Sequence, residues 1–315
     1  MRKYILQRIL IAALTLLAIL FILFALMEFM PGSPFNDEKL NATQRALLDA
    51  KYGLDQPMPL RFVRYVFNML RGDFGVSYNI SKNTPISNLL NTRLPISLRI
   101  GGQAVLIGAA LGLLLGLLAA VKHNTFVDPL MTIISVLGIS IPSYVLALGL
   151  SYTLGFQLRW FPMLYQQEKA LMSSVLPTLS LSMFTMATVA RFTRTEMLEV
   201  LQSDYMLLAE TKGVGGFTLI WKHALRNALI PIITVLAPLI VGLMTGSLVI
   251  EKIFSIPGIG QLLVQAIQSN DYNVITVLSF LYSLMYIGIM LLVDVLYGVI
   301  DPRIRLTKEE DFAHD

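Results

Sequence analysis

Residues 191–231 gather the side chains best able to do chemistry in a chain that is otherwise largely apolar. In order they present Arg191, Arg194, Asp204-Tyr205, Ala209, Lys212-Gly213, Gly215-Gly216, Trp221, His223 and Arg226-Asn227, and Pro231 closes the segment. Nothing here spaces metal ligands or pairs a nucleophile with a base, so the chemistry on offer is that of binding. The pattern predicts a helix, a glycine break and a second helix running toward the next apolar stretch. Ser203 or Asp204 can N-cap the first short helix by accepting hydrogen bonds from its free amides. Gly213, Gly215 and Gly216 allow a sharp turn and keep side chains away from an approaching partner. Leu207, Leu208, Phe217, Leu219, Ile220 and Trp221 are apolar in a segment that must meet water. Some are expected to pack on the chain's own helices, and the rest suit a groove on a partner.

Elsewhere the sequence excludes most catalytic classes. It has no Gly-x-x-x-x-Gly-Lys-Ser/Thr phosphate loop, so the chain is not expected to bind or hydrolyse ATP. His-Glu-x-x-His and Gly-x-Ser-x-Gly are missing, cysteine is absent, and His123, His223 and His314 stand apart. Only 14% of the 315 residues are charged, against about 25% in soluble proteins. That deficit comes from apolar runs long enough to cross a bilayer. The net charge of +4 fits cytoplasmic loops facing anionic lipid and calls for no nucleic acid.

The elements that position the polar segment follow from those runs. Six stretches, 9–27, 100–121, 131–154, 173–189, 229–250 and 274–300, are predicted to span as helices, because backbone groups inside lipid must bond internally. The fold class is therefore an all-α membrane protein with six transmembrane helices. The run after Arg2, Lys3 and Arg8 is too long for a signal peptide's apolar core, and is read as a retained first span. Ser, Thr and Met dilute the fourth stretch, which suits a helix facing other protein. Gly108, Gly112 and Gly116 recur every fourth residue in the second, a spacing that permits close helix contact. Pro142 should kink the third, for gating or for fixed packing.

Basic residues before the first span, at Lys122, between the fourth and fifth spans, and at Arg303, Arg305 and Lys308 share one side if the spans are even in number. Both termini are then cytoplasmic. The segment 31–98 lies outside despite its basic residues, since long loops translocate largely regardless of charge. The expected division is a first transmembrane helix in 1–30 and an extracytoplasmic subdomain in 31–98, including a capped helix near Asn41–Leu48. A five-helix core in 99–300 carries the polar loop at about 191–228, and a cytoplasmic tail occupies 301–315.

Two acids near span ends stand out. Glu251, before Ile256-Pro257-Gly258, either faces a solute's ammonium group at the mouth of a pathway or marks an interface. Asp294 lies in the last third of the sixth stretch and needs a partner, for which Arg191 or Arg194 is expected.

The loop residues Asp204-Tyr205, Ala209, Lys212-Gly213 and His223-Ala224-Leu225-Arg226-Asn227-Ala228-Leu229-Ile230-Pro231 resemble the cytoplasmic EAA-type loop of binding-protein-dependent ABC importer permeases, peptide and nickel branch. The resemblance covers nearly the whole chain. It includes Met30-Pro31-Gly32-Ser33-Pro34-Phe35, Tyr52-Gly53-Leu54-Asp55-Gln56-Pro57, Gly72-Asp73-Phe74-Gly75, Ser77, Pro95, Ile141-Pro142-Ser143 and Arg159-Trp160-Phe161-Pro162. Ser247-Leu248-Val249-Ile250-Glu251, Pro257-Gly258-Ile259-Gly260-Gln261, Asp294-Val295-Leu296-Tyr297 and Asp301-Pro302-Arg303-Ile304-Arg305 complete it. The Pro-Gly-Ser-Pro-Phe form leans toward the B-type membrane subunit of oligopeptide permeases. Two departures bear on partner pairing: Leu207-Leu208-Ala209 stands where the family has Glu-Ala-Ala, and Glu210-Thr211-Lys212-Gly213 where relatives often have Ala-Lys-Gly with basic neighbours.

The resemblance implies a type I importer permease bundle in the bacterial cytoplasmic membrane and a coupling loop using Asp204, Tyr205, Ala209, Gly213, Trp221, His223, Arg226 and Asn227. Pro142, Ser143 and Glu251 become candidates for the substrate pathway. The implied partners are a second permease subunit, two cytoplasmic ATP-binding subunits, an extracytoplasmic peptide-binding protein, the peptide and the bilayer. ATP and magnesium would sit on the ATPase subunits, and this chain would bind no cofactor. Oligopeptides are the expected solute. Dipeptides or nickel are the alternative within the family, and a secondary transporter or channel the alternative outside it.

Overall fold

A computed structural model describes residues 2–29 and 56–300, and among them the fold is helical apart from one isolated bridge between Val76 and Pro85. The capped helix expected near Asn41–Leu48 and the tail 301–315 lie outside the described residues. Five helical stretches are long and apolar enough to span: Leu6–Ala25, Ile86–Val121, Gln167–Leu201, Gly216–Ile253 and Tyr272–Val295. A bent pair, Val127–Ser140 with Ser143–Gln157, makes a sixth if counted as one span. The helices run past the expected spans because hydropathy marks only the stretch that suits lipid, whereas backbone hydrogen bonding continues until a cap or breaker intervenes.

The chain divides into two compact units. Among the described residues, one comprises 2–29, 56–95 and 257–287, and the other 96–256 with 288–300. The first holds α1 (Arg2–Phe29), α2 (Met58–Leu70), the start of α3 (Ile86–Val121), α10 (Ile259–Gln268) and most of α11 (Tyr272–Ile300). Its core joins Leu20, Met69, Ile86, Leu90, Leu262, Val274 and Val277. Met69, Ile86 and Leu90 thus share a core with residues of α1, α10 and α11. Gly72-Asp73-Phe74-Gly75 and Ser77 form a turn held by Asp271. This fully buried carboxylate accepts hydrogen bonds from Ser77 Oγ, Asn79 N (2.9 Å) and Ile80 N (3.1 Å). Asn273 Nδ2 donates to Val76 O at 2.8 Å. Gly75 has φ +70°, and a Cβ there would lie 2.7 Å from Asn273 Nδ2.

The second unit holds the rest of α3, then α4 (Val127–Ser140), α5 (Ser143–Leu150), α6 (Ala170–Leu201), α7 (Asp204–Thr211), α8 (Leu225–Met244) and α9 (Leu248–Ile253). Its centre is α6: 61% of its most apolar window is buried, against 6% for Leu6–Ala25. The diluting Ser and Thr residues are what allow this. Ser174, Ser180 and Ser182 are buried with their hydroxyls donating to carbonyls three or four residues back, whereas the buried hydroxyls of Thr185 and Thr193 find no partner among the described residues.

The glycine series meets this helix directly. A Cβ at Gly108 would lie 2.8 Å from Ser182 O, at Gly112 2.6 Å from Met186 O, and at Gly116 2.5 Å from Ala190 O. Three glycines four apart on α3 therefore ride on three carbonyls four apart on α6. The small-residue face seals these two helices backbone to backbone.

The third stretch departs from expectation. It breaks at Ile141-Pro142, both extended (ψ 117° and 137°), and the two helices are bent by 98°. Proline disfavours the helical region for the residue before it, so α4 stops one residue short. Pro142 O then accepts Val145 N and starts α5. A proline expected to kink one helix instead separates two.

Candidate functional site: the loop between α6 and α8

Residues 202–224 take their shape from local rules. Helix α6 ends at Leu201, and Ser203, with extended backbone (ψ 151°), occupies the N-cap position of α7. Its hydroxyl donates back to Val200 O and makes no capping bond to α7. Helix α7 ends in a Schellman arrangement: Gly213 N donates to Glu210 O (2.9 Å) and Val214 N to Ala209 O (3.1 Å). The motif requires a left-handed residue where Gly213 stands with φ +80°. Ala209 supplies the accepting carbonyl and packs, like Val214, on the buried cluster beneath. Of the two, Gly213 is the residue whose type the helix stop requires.

After Gly215 one helical turn, Gly216–Thr218, leads into a π-helical turn, Leu219–Ala224, and then α8. Residues five apart diverge by about 140° on an α-helix. Wider π hydrogen bonding brings them back to one face. Leu219 and Ala224 are accordingly both buried, while Trp221 between them points outward.

The loop is two-sided. Met206, Leu219 and Ala224 join Val189 and Met197 of α6 and Ala228 and Ile232 of α8 in one core. On the other side Leu207, Leu208, Phe217 and Trp221 are exposed, Phe217 to 75%. The Phe217 and Trp221 rings pack together with centroids 5.6 Å apart. Asn227 Nδ2 donates to Tyr205 Oη at 2.9 Å, joining the two ends of the motif across the glycine turn. Asp204 and Arg226 are exposed and His223 is half-buried. The apolar residues thus separate as expected, into an underside that packs and a crown that does not.

The pathway candidates fall in the same unit. Pro142 and Ser143 sit at the α4–α5 break, and α5 packs against α9, which carries Glu251. Glu251 is 4% exposed and accepts a hydrogen bond from Ser97 Oγ at 3.0 Å, beside a cavity with room for about one water molecule. Ser97, a lone hydroxyl next to Pro95-Ile96, gives no sequence signal of this role.

The sequence also conceals the ion pair at the loop's root. Arg194, expected as a partner for Asp294, donates through Nε and Nη2 to Asp128, which also bonds His123 Nδ1 at 2.8 Å. An acid at the head of an apolar run was the available clue, since such an acid needs a partner.

Residues 112–306 match the family described as the binding-protein-dependent transport system inner membrane component. The chain is 42% identical over 306 residues to the dipeptide transport system permease DppB of Lactococcus lactis, covering 97% of this chain and all of that one. It is 38% identical to the oligopeptide transport system permease OppB of Salmonella typhimurium over the same shares. A crystal structure of an amino acid ABC transporter with histidines shares the fold, with a TM-score of 0.52 at 15% identity over 67% of this chain and 94% of that one. The family match and the full-length relatives make this chain a transport subunit and not an enzyme: it belongs to the multi-pass inner-membrane permeases of binding-protein-dependent ABC importers.

Proposed function

We propose that this chain is one of two permease subunits of an importer that receives oligopeptides from an extracytoplasmic binding protein and is driven by two cytoplasmic ATP-binding subunits. The observation that carries this reading is the two-sided loop, whose underside is locked onto α6 and α8 while its apolar crown stands free. A crown of Leu207, Leu208, Phe217 and Trp221 suits a cleft in an ATPase subunit. Closure of that cleft moves α6 and α8 through the shared core. ATP and magnesium stay on the ATPase subunits, and this chain binds no cofactor. Both termini and the loop face the cytoplasm, and 31–98 faces outward.

Gly213→Asp should abolish co-purification of the ATPase subunits and with it uptake, because it puts bulk and charge at the contact. Normal co-purification with normal uptake would overturn the coupling role. The identities of 42% and 41% to dipeptide permeases of Lactococcus lactis and Bacillus subtilis favour dipeptides as a second reading. Stimulation of ATP hydrolysis in the reconstituted complex by tetrapeptides or by dipeptides decides between them.

The proposed solute path passes the Pro142-Ser143 break and Glu251, whose carboxylate, buried against Ser97 in this structure, would have to be uncovered to meet a peptide's ammonium group. Glu251→Gln should lower uptake while the amount of assembled complex holds. Unchanged transport kinetics would remove Glu251 from the path.

A further inference from the structure

A lateral pocket of about 60 Å³, partly open to the outside, lies between α3, α4 and α6 and has room for part of a larger molecule running along it. Leu115, Met131 and Val136 form an apolar wall, and Arg191 and Arg194 stand at its rim. No Asp or Glu lines it. The nearby acid, Asp128, is engaged by Arg194 Nε and Nη2 and by His123. Arg194 keeps Nη1, and the exposed Arg191 makes no side-chain ion pair among the described residues. The hydroxyls of Thr132, Ser135 and Thr195 donate to the carbonyls of Asp128, Met131 and Arg191. The donors left at the pocket are therefore guanidinium groups.

An apolar wall within a span, ending at the Arg191 guanidinium, which has no ion pair among the described residues, and at Nη1 of the Asp128-bound Arg194, matches one kind of molecule along its length. The basic end is also the side on which Lys122 and the loop lysines collect, the side facing the anionic leaflet. We propose that this pocket binds an anionic phospholipid, its phosphate on Arg191 and Arg194 Nη1 and an acyl chain along Leu115, Met131 and Val136. A free phosphate would leave the apolar wall bare, and a neutral helix from another subunit would leave Arg191 without an anion. The lipid lies against α6 two turns before the coupling loop, where it braces the helix that the loop drives.

The test is native mass spectrometry of the full-length chain in detergent, titrated with phosphatidylglycerol or phosphatidylcholine. Phosphatidylglycerol should bind preferentially, with Arg191→Gln weakening it about fivefold, the worth of one cation at an anionic surface. Arg191→Lys should stay near wild type, which also reports that the site is folded. Val136→Trp, which fills the wall and keeps every charge, should weaken binding too. Equal binding of the two lipids, or no change in either weakening variant, overturns the proposal. So does displacement by inorganic phosphate alone, which marks a free-anion site. Loss of the adduct on adding the second permease subunit assigns the pocket to a protein interface and overturns it equally.

Discussion

The turn at 72–85 and the loop at 202–224 carry the same kind of sequence signal, glycines and polar residues matching a family pattern, yet their environments are opposite. In the first, polar groups are spent inside the chain: Asp271 gathers Ser77, Asn79 and Ile80, and Gly75 is pressed against Asn273. In the second, nothing lies within 4 Å of where a Cβ at Gly213 would be, and the large apolar side chains face outward. A motif whose groups are satisfied within the chain serves the fold. A motif that leaves apolar area uncovered where a helix stops is free to meet another molecule, as proposed for this loop.

Substitutions can break that contrast, beginning with the most damaging. Asp271→Ala should cost about 3–5 kcal/mol, since the buried Ser77 hydroxyl and two half-buried amides lose their carboxylate acceptor at once. The yield of monodisperse protein and its thermal midpoint in detergent measure this, and a near-wild-type midpoint would mean that the clamp is dispensable. Paired alanine substitutions separate space from backbone conformation. Gly75→Ala meets both a positive φ and an occupied site, and should lower stability by roughly 2–3 kcal/mol. Gly213→Ala meets only the positive φ, and should lower it by about 1 kcal/mol. Equal thermal shifts would erase the distinction. Phe217→Ser with Leu207→Ser should change stability least, within about 0.5 kcal/mol as for exposed sites, while ATPase co-purification falls sharply. A loss of stability matching the loss of co-purification would place these residues in the fold's own core.

Legibility in the sequence followed the range of the physics involved. Helix–turn–helix at 204–231 could be read because glycine placement and helix termination are local. The packing of Gly108, Gly112 and Gly116 could be read as a tendency, because spacing on a helix defines a face without naming its partner. The extent of the bend at Pro142 could not be read: its missing N–H is local, but whether the chain kinks or separates into helices bent by 98° depends on what the second helix packs against. The Arg194–Asp128 pair escaped because 66 residues separate its members, and no spacing rule reaches across two helices.

By itself, the sequence determined the membrane class, the polar loop with its glycine stop, and the resemblance that named the family. These rest on composition, on backbone hydrogen bonding in lipid and on short motifs, all properties of neighbouring residues. Tertiary structure alone decided which apolar loop residues are core and which are crown. It also decided that Asp271 is a clamp, that Arg194 answers Asp128, and that a basic-rimmed pocket opens beside α6. Each of those depends on which distant segments come within a few ångströms, and burial and charge pairing are set only when they do.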